Sequence, residues 1–149
     1  MPKFRPNVAA IIINKEGEIL VCERKNDQGA WQFPQGGVDK GETEMEALER
    51  EVMEEVGIPA SDYKVKESRK GYSYLYPVKK KKRKWDGQKQ TYFLCLLKKK
   101  AKGPDLGKKN AEFRDFDWVL PEDFEAGWLP DFKLEVYRKV MKDFFKVVI

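Results

Sequence analysis

Between Gly36 and Ile58 the chain reads GGVDKGETEMEALEREVMEEVGI, a helix-forming run with seven glutamates and one arginine in a protein whose formal net charge is +5. Like charges three and four apart on a helix repel, each pair costing roughly a few tenths of a kcal/mol. A cluster this dense calls for a neutralising cation, and a hard divalent ion such as Mg²⁺, with Mn²⁺ as a substitute, is the natural candidate. Thr43 and Glu46 have the capping-box spacing, and Gly57 followed by Pro59 supplies a stop, so a helix is expected from Thr43 to Gly57. On a helical projection Met45, Leu48, Val52 and Val56 form an apolar stripe. Glu51, Glu54 and Glu55 share a different face with small Ala47, where i,i+3 and i,i+4 spacing lets three carboxylates converge on one or a few ions. A charge run is most often only a solvated face, and Glu44 and Glu49 are assigned to that role.

A chain of 149 residues suits one domain, 1–149, with a single core. It contains no histidine, which excludes His-based triads, phosphohistidine chemistry and His-ligated zinc. Proton transfer then falls to Glu, Asp, Lys, Tyr or water. Cys22 and Cys95 sit in apolar stretches, EILVCER and TYFLCLL, and read as buried thiols. No apolar run approaches the length of a membrane span or signal segment, so a cytoplasmic protein without a membrane partner is expected.

NVAAIIIN (7–14) and EILVCER (18–24), separated by Lys15-Glu16-Gly17, predict a hairpin or adjacent strands. Trp31 to Pro34 predicts a short extended piece ended by Pro34, Gly36 and Gly37. Further strands are expected at 63–76, 90–98 and 113–120, with the lysine-rich connection 79–89 looping out. From an N-cap at Asp131, the residues Leu134, Tyr137, Met141, Phe144 and Val148 recur at helical spacing and predict a closing amphipathic helix.

The acidic segment fits the pattern G-x5-E-x7-R-E-U-x-E-E-x-G-U, with U a bulky aliphatic residue, through Gly36, Glu42, Arg50, Glu51, Val52, Glu54, Glu55, Gly57 and Ile58. It thereby resembles the signature of the Nudix hydrolases. The resemblance implies an α/β fold, an α/β/α sandwich with a mixed sheet between helices. Beyond the signature, Arg5-Pro6-Asn7-Val8, WQFPQGG, GQKQTYFL, EFRDFDWV and FKLEVYRKVMKDF look like the branch of that family acting on RNA 5′-triphosphate ends and on dinucleoside polyphosphates.

The resemblance implies removal of pyrophosphate from 5′-triphosphorylated RNA, a step in mRNA decay, with nucleotide hydrolysis as the alternative and a non-catalytic RNA-binding module as the non-enzymatic one. It implies metal ligation by Glu51, Glu54 and Glu55, with Glu112 as a further ligand or general base, Glu54 as the other candidate base, and a backbone carbonyl near Gln35 or Gly36 as an added ligand. Arg50 is a brace for the carboxylates, four residues from both Glu46 and Glu54. Arg5, Lys25 and Lys133 are implied phosphate contacts, and Tyr74 and Phe132 implied base contacts, although core packing is the ordinary role of an isolated aromatic. The basic runs KKKKRK (79–84) and KKKAK (98–102) favour an anionic polymer.

Overall fold

The computed structural model describes residues 1–77, 83–107, 109–110 and 112–149. In chain order the elements are β1 (Phe4–Ile13), β2 (Ile19–Arg24), β3 (Trp31–Gln32), β4 (Gln35–Gly37), α1 (Glu44–Val56), β5 (Tyr63–Leu75), β6 (Gly87–Leu97), β7 (Phe113–Val119) and α2 (Asp131–Phe145). The strands make one mixed sheet in the order β3-β2-β1-β6-β5, with β4 added to β1 and β7 to β2. Among the described residues, the one parallel pair is β1 with β6.

Residues 7–12 of β1 are all buried, which is what an unbroken apolar run means when both faces of a strand are covered. Val8, Ala10 and Ile12 pack with Leu48, Val52 and Val56 of α1, whereas Ala9 and Ile11 pack with Val136, Tyr137, Val140 and Met141 of α2. The sheet therefore lies between the two helices, the expected α/β/α sandwich. Cys22 and Cys95 are free and buried, and among the described residues no helix is long and apolar enough to cross a membrane.

A fork in the sheet prepares the site. The hairpin closes through Asn14, whose amide donates to the Glu18 carbonyl at 2.9 Å and whose side chain accepts from the amides of Glu16 and Glu18. Yet β1 and β2 pair only at Ile13 and Ile19. Beyond that point β4 takes the β1 edge, matching Asn7 to Gly37, Val8 to Gly36 and Ala9 to Gln35, while β2 turns to β7. Pro34 thus does not terminate the extended chain, as expected above; its carbonyl accepts from Ala10, and Gln35–Gly37 continue as a strand.

Other expectations need correcting. Met45 is 41% exposed, and Ala47, assigned to the carboxylate face, is fully buried beside Leu48 because its small side chain admits the sheet closely. In α2 the buried stripe is Lys133, Val136, Tyr137, Val140 and Met141, so Leu134 flanks it and Val148 lies past the helix, exposed. Pro130, not Asp131, occupies the N-cap position. Strand β6 begins at Gly87, inside the connection expected to loop out, since Gly87 pairs with both Phe4 and Leu75. Residues 78–82, most of the KKKKRK run, lie outside the described residues.

The capping box at the start of α1 is fully formed: Thr43 Oγ1 accepts from the Glu46 amide at 3.1 Å, and Glu46 Oε1 from the Thr43 amide at 2.9 Å. Thr43→Ala should lower stability by about 1 kcal/mol, read as a lower urea midpoint with unchanged slope.

Candidate active site

Helix α1 rests on Leu48, Val52 and Val56 and leaves Glu51, Glu54 and Glu55 on an adjoining face, where one oxygen from each lies within 4.8 Å of the others. Arg50 holds this face together. Its Nε and Nη2 donate to the two oxygens of Glu42 at 2.7 and 2.9 Å, Nη2 also donates to the Gly37 carbonyl at 2.9 Å, and Nη1 donates to Glu51 at 2.7 Å and Glu54 at 3.4 Å. Glu46, expected as a partner of Arg50, is instead engaged in the capping box. Glu42, in the loop before the helix, is the residue that takes its place. Glu44 is also not simply solvated, since Thr91 donates to it and Lys70 pairs with it at 3.0 Å.

The charges divide unequally. Hydrogen bonds from Arg50 and from the Asp39 amide pull the Glu42 carboxyl down to about 2. Burial, then repulsion from Glu112, Glu51 and Glu54, pushes Glu55 up to about 7. Burial also raises Glu51, with the Arg50 contact opposing it. Glu55 Oε2 is buried and has no hydrogen-bond partner among the described residues. A buried acceptor left unpaired is costly, and Glu55 lies among other carboxylates, a donor set suited to a hard divalent cation. A side chain on Gly36 would displace the Glu51 carboxylate, so glycine lets that carboxylate lie against the strand. The bonds Ala10 to Pro34 and Val38 to Pro6 make Val8 and Gly36 the mutually bonded pair between them, leaving the Gly36 carbonyl one lone pair for a cation.

The loop before β7 carries Glu112 to this face, close enough to Glu55 for the two charges to interact. Arg24, Lys25, Asn26, Asp27 and Glu112 line a cleft of about 360 Å³. Lys133, 7% exposed, donates to Gln32 Oε1 at 3.3 Å; burial and the nearby Arg24 bring it down to about 8, with Glu112 opposing. Lys25, Glu112 and Lys133 are thus brought together. Arg5 lies across β4 from the α1 carboxylates: its guanidinium occupies the space a side chain on Gly37 would need, and successive residues of β4 point to opposite faces, so Arg5 and Glu51 flank the strand from opposite sides.

Tyr74 is 8% exposed and packs at 5.6 Å from Phe132, which is partly buried. Packing occupies most of Tyr74, while Tyr76, absent from the expected set, extends the cluster at 6.2 Å and carries Arg83 over its ring at 4.5 Å. Its place in an alternating strand, two residues after Tyr74, was the available signal. Asn110, also unexpected, bonds Glu55, Glu112 and Phe113; only its Asn-x-Glu spacing, the mark of a local side-chain turn, was visible.

The NUDIX domain model matches residues 3–144. The RNA pyrophosphohydrolase of Helicobacter pylori (strain G27) is 42% identical over 147 residues, covering 95% of this chain and 94% of its own. That of Edwardsiella ictaluri (strain 93-146) is 37% identical over 158 residues, covering 98% and 85%. Among solved structures, the dihydroneopterin triphosphate pyrophosphohydrolase of E. coli superimposes with a TM-score of 0.70 at 18% identity, covering 97% of each chain. The Ap4A hydrolase of C. elegans, as a binary complex, gives 0.60 at 20%, covering 94% and 99%. These last two share the fold.

Glu55 gives the site a pH signature. Folding raises its pKa from 4.5 to about 7, so the native metal-free protein binds that proton more tightly than the unfolded chain. The effect vanishes below 4.5, where both states are protonated, and is complete above about 7, so stability falls as pH rises through that window. Glu55→Gln should be more stable than wild type in excess chelator at pH 8, with the difference in urea midpoint closing toward pH 4. A pH-independent difference would contradict the buried charge.

Proposed function

This chain belongs to the Nudix family, and on that premise we propose that it removes pyrophosphate from the 5′-triphosphate end of RNA, leaving a 5′-monophosphate, as a cytoplasmic step in mRNA decay. The observation that carries the reading is the convergence of Glu51, Glu54 and Glu55, with one buried oxygen unpaired, beside the Arg24–Lys25 cleft. The two RNA pyrophosphohydrolases described above, similar over nearly their whole length, support the choice of RNA.

Glu51, Glu54, Glu55 and Glu112, with the Gly36 carbonyl, would hold Mg²⁺ or Mn²⁺, which when bound supplies positive charge against the oxygens of the phosphate chain. Arg50 keeps Glu51 and Glu54 aimed while its bonds to Glu42 and Gly37 anchor the guanidinium. Arg24, Lys25 and Lys133 offer cations to the phosphates, and Phe132 and Tyr76 offer rings to the first bases, with Tyr74 supporting them from below. Arg5 serves the RNA backbone on the opposite side of β4. Glu54 or Glu112 accepts the proton of the attacking water; Glu54 is 56% exposed and weakly held, whereas Glu112 reaches the site from a separate loop.

The test supplies purified protein and Mg²⁺ with 5′-triphosphorylated RNA and, separately, diadenosine tetraphosphate. Higher kcat/KM on RNA with pyrophosphate released is expected; higher efficiency on the dinucleotide would transfer the assignment to the smaller substrate. Turnover of neither would leave an RNA-binding module. Glu51→Gln and Glu55→Gln should each lower kcat by about a hundredfold or more with the fold retained, and near-native turnover in either would refute its ligand role.

A further inference from the structure

Asn110 occupies a position that the catalytic assignments above do not use. It is buried, and one amide group serves two elements at once. Its Nδ2 donates to the Glu55 carbonyl at 2.6 Å, while its Oδ1 accepts from the amides of Glu112 at 2.9 Å and Phe113 at 2.8 Å. Its own carbonyl accepts from Lys25 Nζ at 3.1 Å, and the Lys25 amide donates to the Glu112 carbonyl at 2.9 Å. The backbone of Glu112 is thereby held at both ends, its N–H by Asn110 and its C=O by Lys25.

The helix requires some of this. The last carbonyls of α1 have no partners within the helix; that of Met53 is taken by Gly57, that of Val56 by Asp105 and that of Glu55 by Asn110. Any donor could satisfy that carbonyl. What Asn110 adds is a donor and an acceptor on one rigid planar group, which fixes the distance between the helix and the loop. The elements so joined carry the two carboxylates that must face one another, Glu55 and Glu112. An aspartate here would keep the acceptor and lose the donor, and a serine is too short to span both.

We infer that Asn110 is a positioning residue that sets Glu112 against the carboxylates of α1, so that the Glu112 carboxylate arrives in register with Glu55. It touches no substrate, and its effect on turnover passes through Glu112. This rests on the proposed pyrophosphohydrolase reading for its kinetic consequence and on the hydrogen bonds alone for its structural one.

The experiment compares wild type, Asn110→Ala, Asn110→Asp, Glu112→Gln and the Asn110→Ala/Glu112→Gln double variant. On 5′-triphosphorylated RNA with Mg²⁺, Asn110→Ala is expected to lower kcat by about a hundredfold, the scale of a roughly 1 Å misplacement, with KM changed by less than about threefold. In the Glu112→Gln background the same change is expected to lower kcat by less than about twofold, because a residue acting only through Glu112 has nothing left to position. Amide hydrogen exchange in metal-free protein provides a readout independent of turnover. The Glu112 and Phe113 amides should exchange at least about tenfold faster in Asn110→Ala, with the mid-helix Val52 amide unchanged. Asn110→Asp should keep both amides protected yet still lose kcat; it also carries the test if the alanine variant does not fold. Wild-type kcat in Asn110→Ala, or a full multiplicative loss on top of Glu112→Gln, would overturn the inference. If wild type releases no pyrophosphate from RNA, the substrate reading fails and exchange alone decides: faster exchange supports positioning, and unchanged exchange overturns it.

Discussion

Arg50 is the interaction on which the site depends. A helix presenting Glu51, Glu54 and Glu55 on one face, with Glu42 and Asp39 in the preceding loop, is self-repelling, and one guanidinium contacts four of those five carboxylates as well as the Gly37 carbonyl. Arg can do this because its planar fork offers five donors in fixed directions and never loses its charge. The neutralisation is selective. Glu42 is satisfied and held low, whereas Glu55 receives nothing from Arg50 and is driven upward by burial and by its neighbours. The same cluster thus contains a part finished within the protein and a part left open to an external cation, and that difference separates a brace from a binding site.

The sheet supports this arrangement by coming apart. Where β1 and β2 diverge after Ile13 and Ile19, β4 enters with two glycines, and each lets a charged group approach the backbone: Glu51 on one face, Arg5 on the other. A regular hairpin with larger side chains would have placed the α1 carboxylates on a closed surface. Parting the strands opens an edge that is reached from both sides of the sheet, by α1 on one face and by α2 on the other.

Much of this was legible from residue order alone. The capping box, the Gly57 stop and the three-carboxylate face are local, set by spacing within one helix, and local rules held. The apolar run of β1 announced a strand, and the structure covers it on both faces. Most of what sequence reading missed came from tertiary pairing. β4 is three residues long and exists only because β1 offers an edge, and Ala47 is buried because the sheet comes close, whereas Glu46 was lost to Arg50 locally, taken by the cap it satisfies. Asn110 was invisible for the same reason, since its bond to Glu55 spans 55 residues of sequence. The aromatics fell between the two readings: Tyr74 is largely a packing residue, and the more exposed ring is Tyr76, just past the end of β5.

Lys133 shows how function can be located by what the fold leaves unexplained. It stands in the first turn of α2, where the helix dipole disfavours a cation. It is also buried, and among the described residues its ammonium has one hydrogen-bond partner, the neutral Gln32, at 3.3 Å. Burial and nearby Arg24 both weaken its hold on the proton, bringing it to about 8. Each of these terms opposes stability, and an apolar residue would fit the buried stripe of α2 better. A cation retained against three penalties, close to Arg24 and Glu112 and the cleft they line, is accounted for if an anion completes its coordination. The α1 carboxylates pose the complementary case, negative charge crowded until a cation relieves it. On the proposed function, a polyphosphate carrying its metal ion would satisfy both at once.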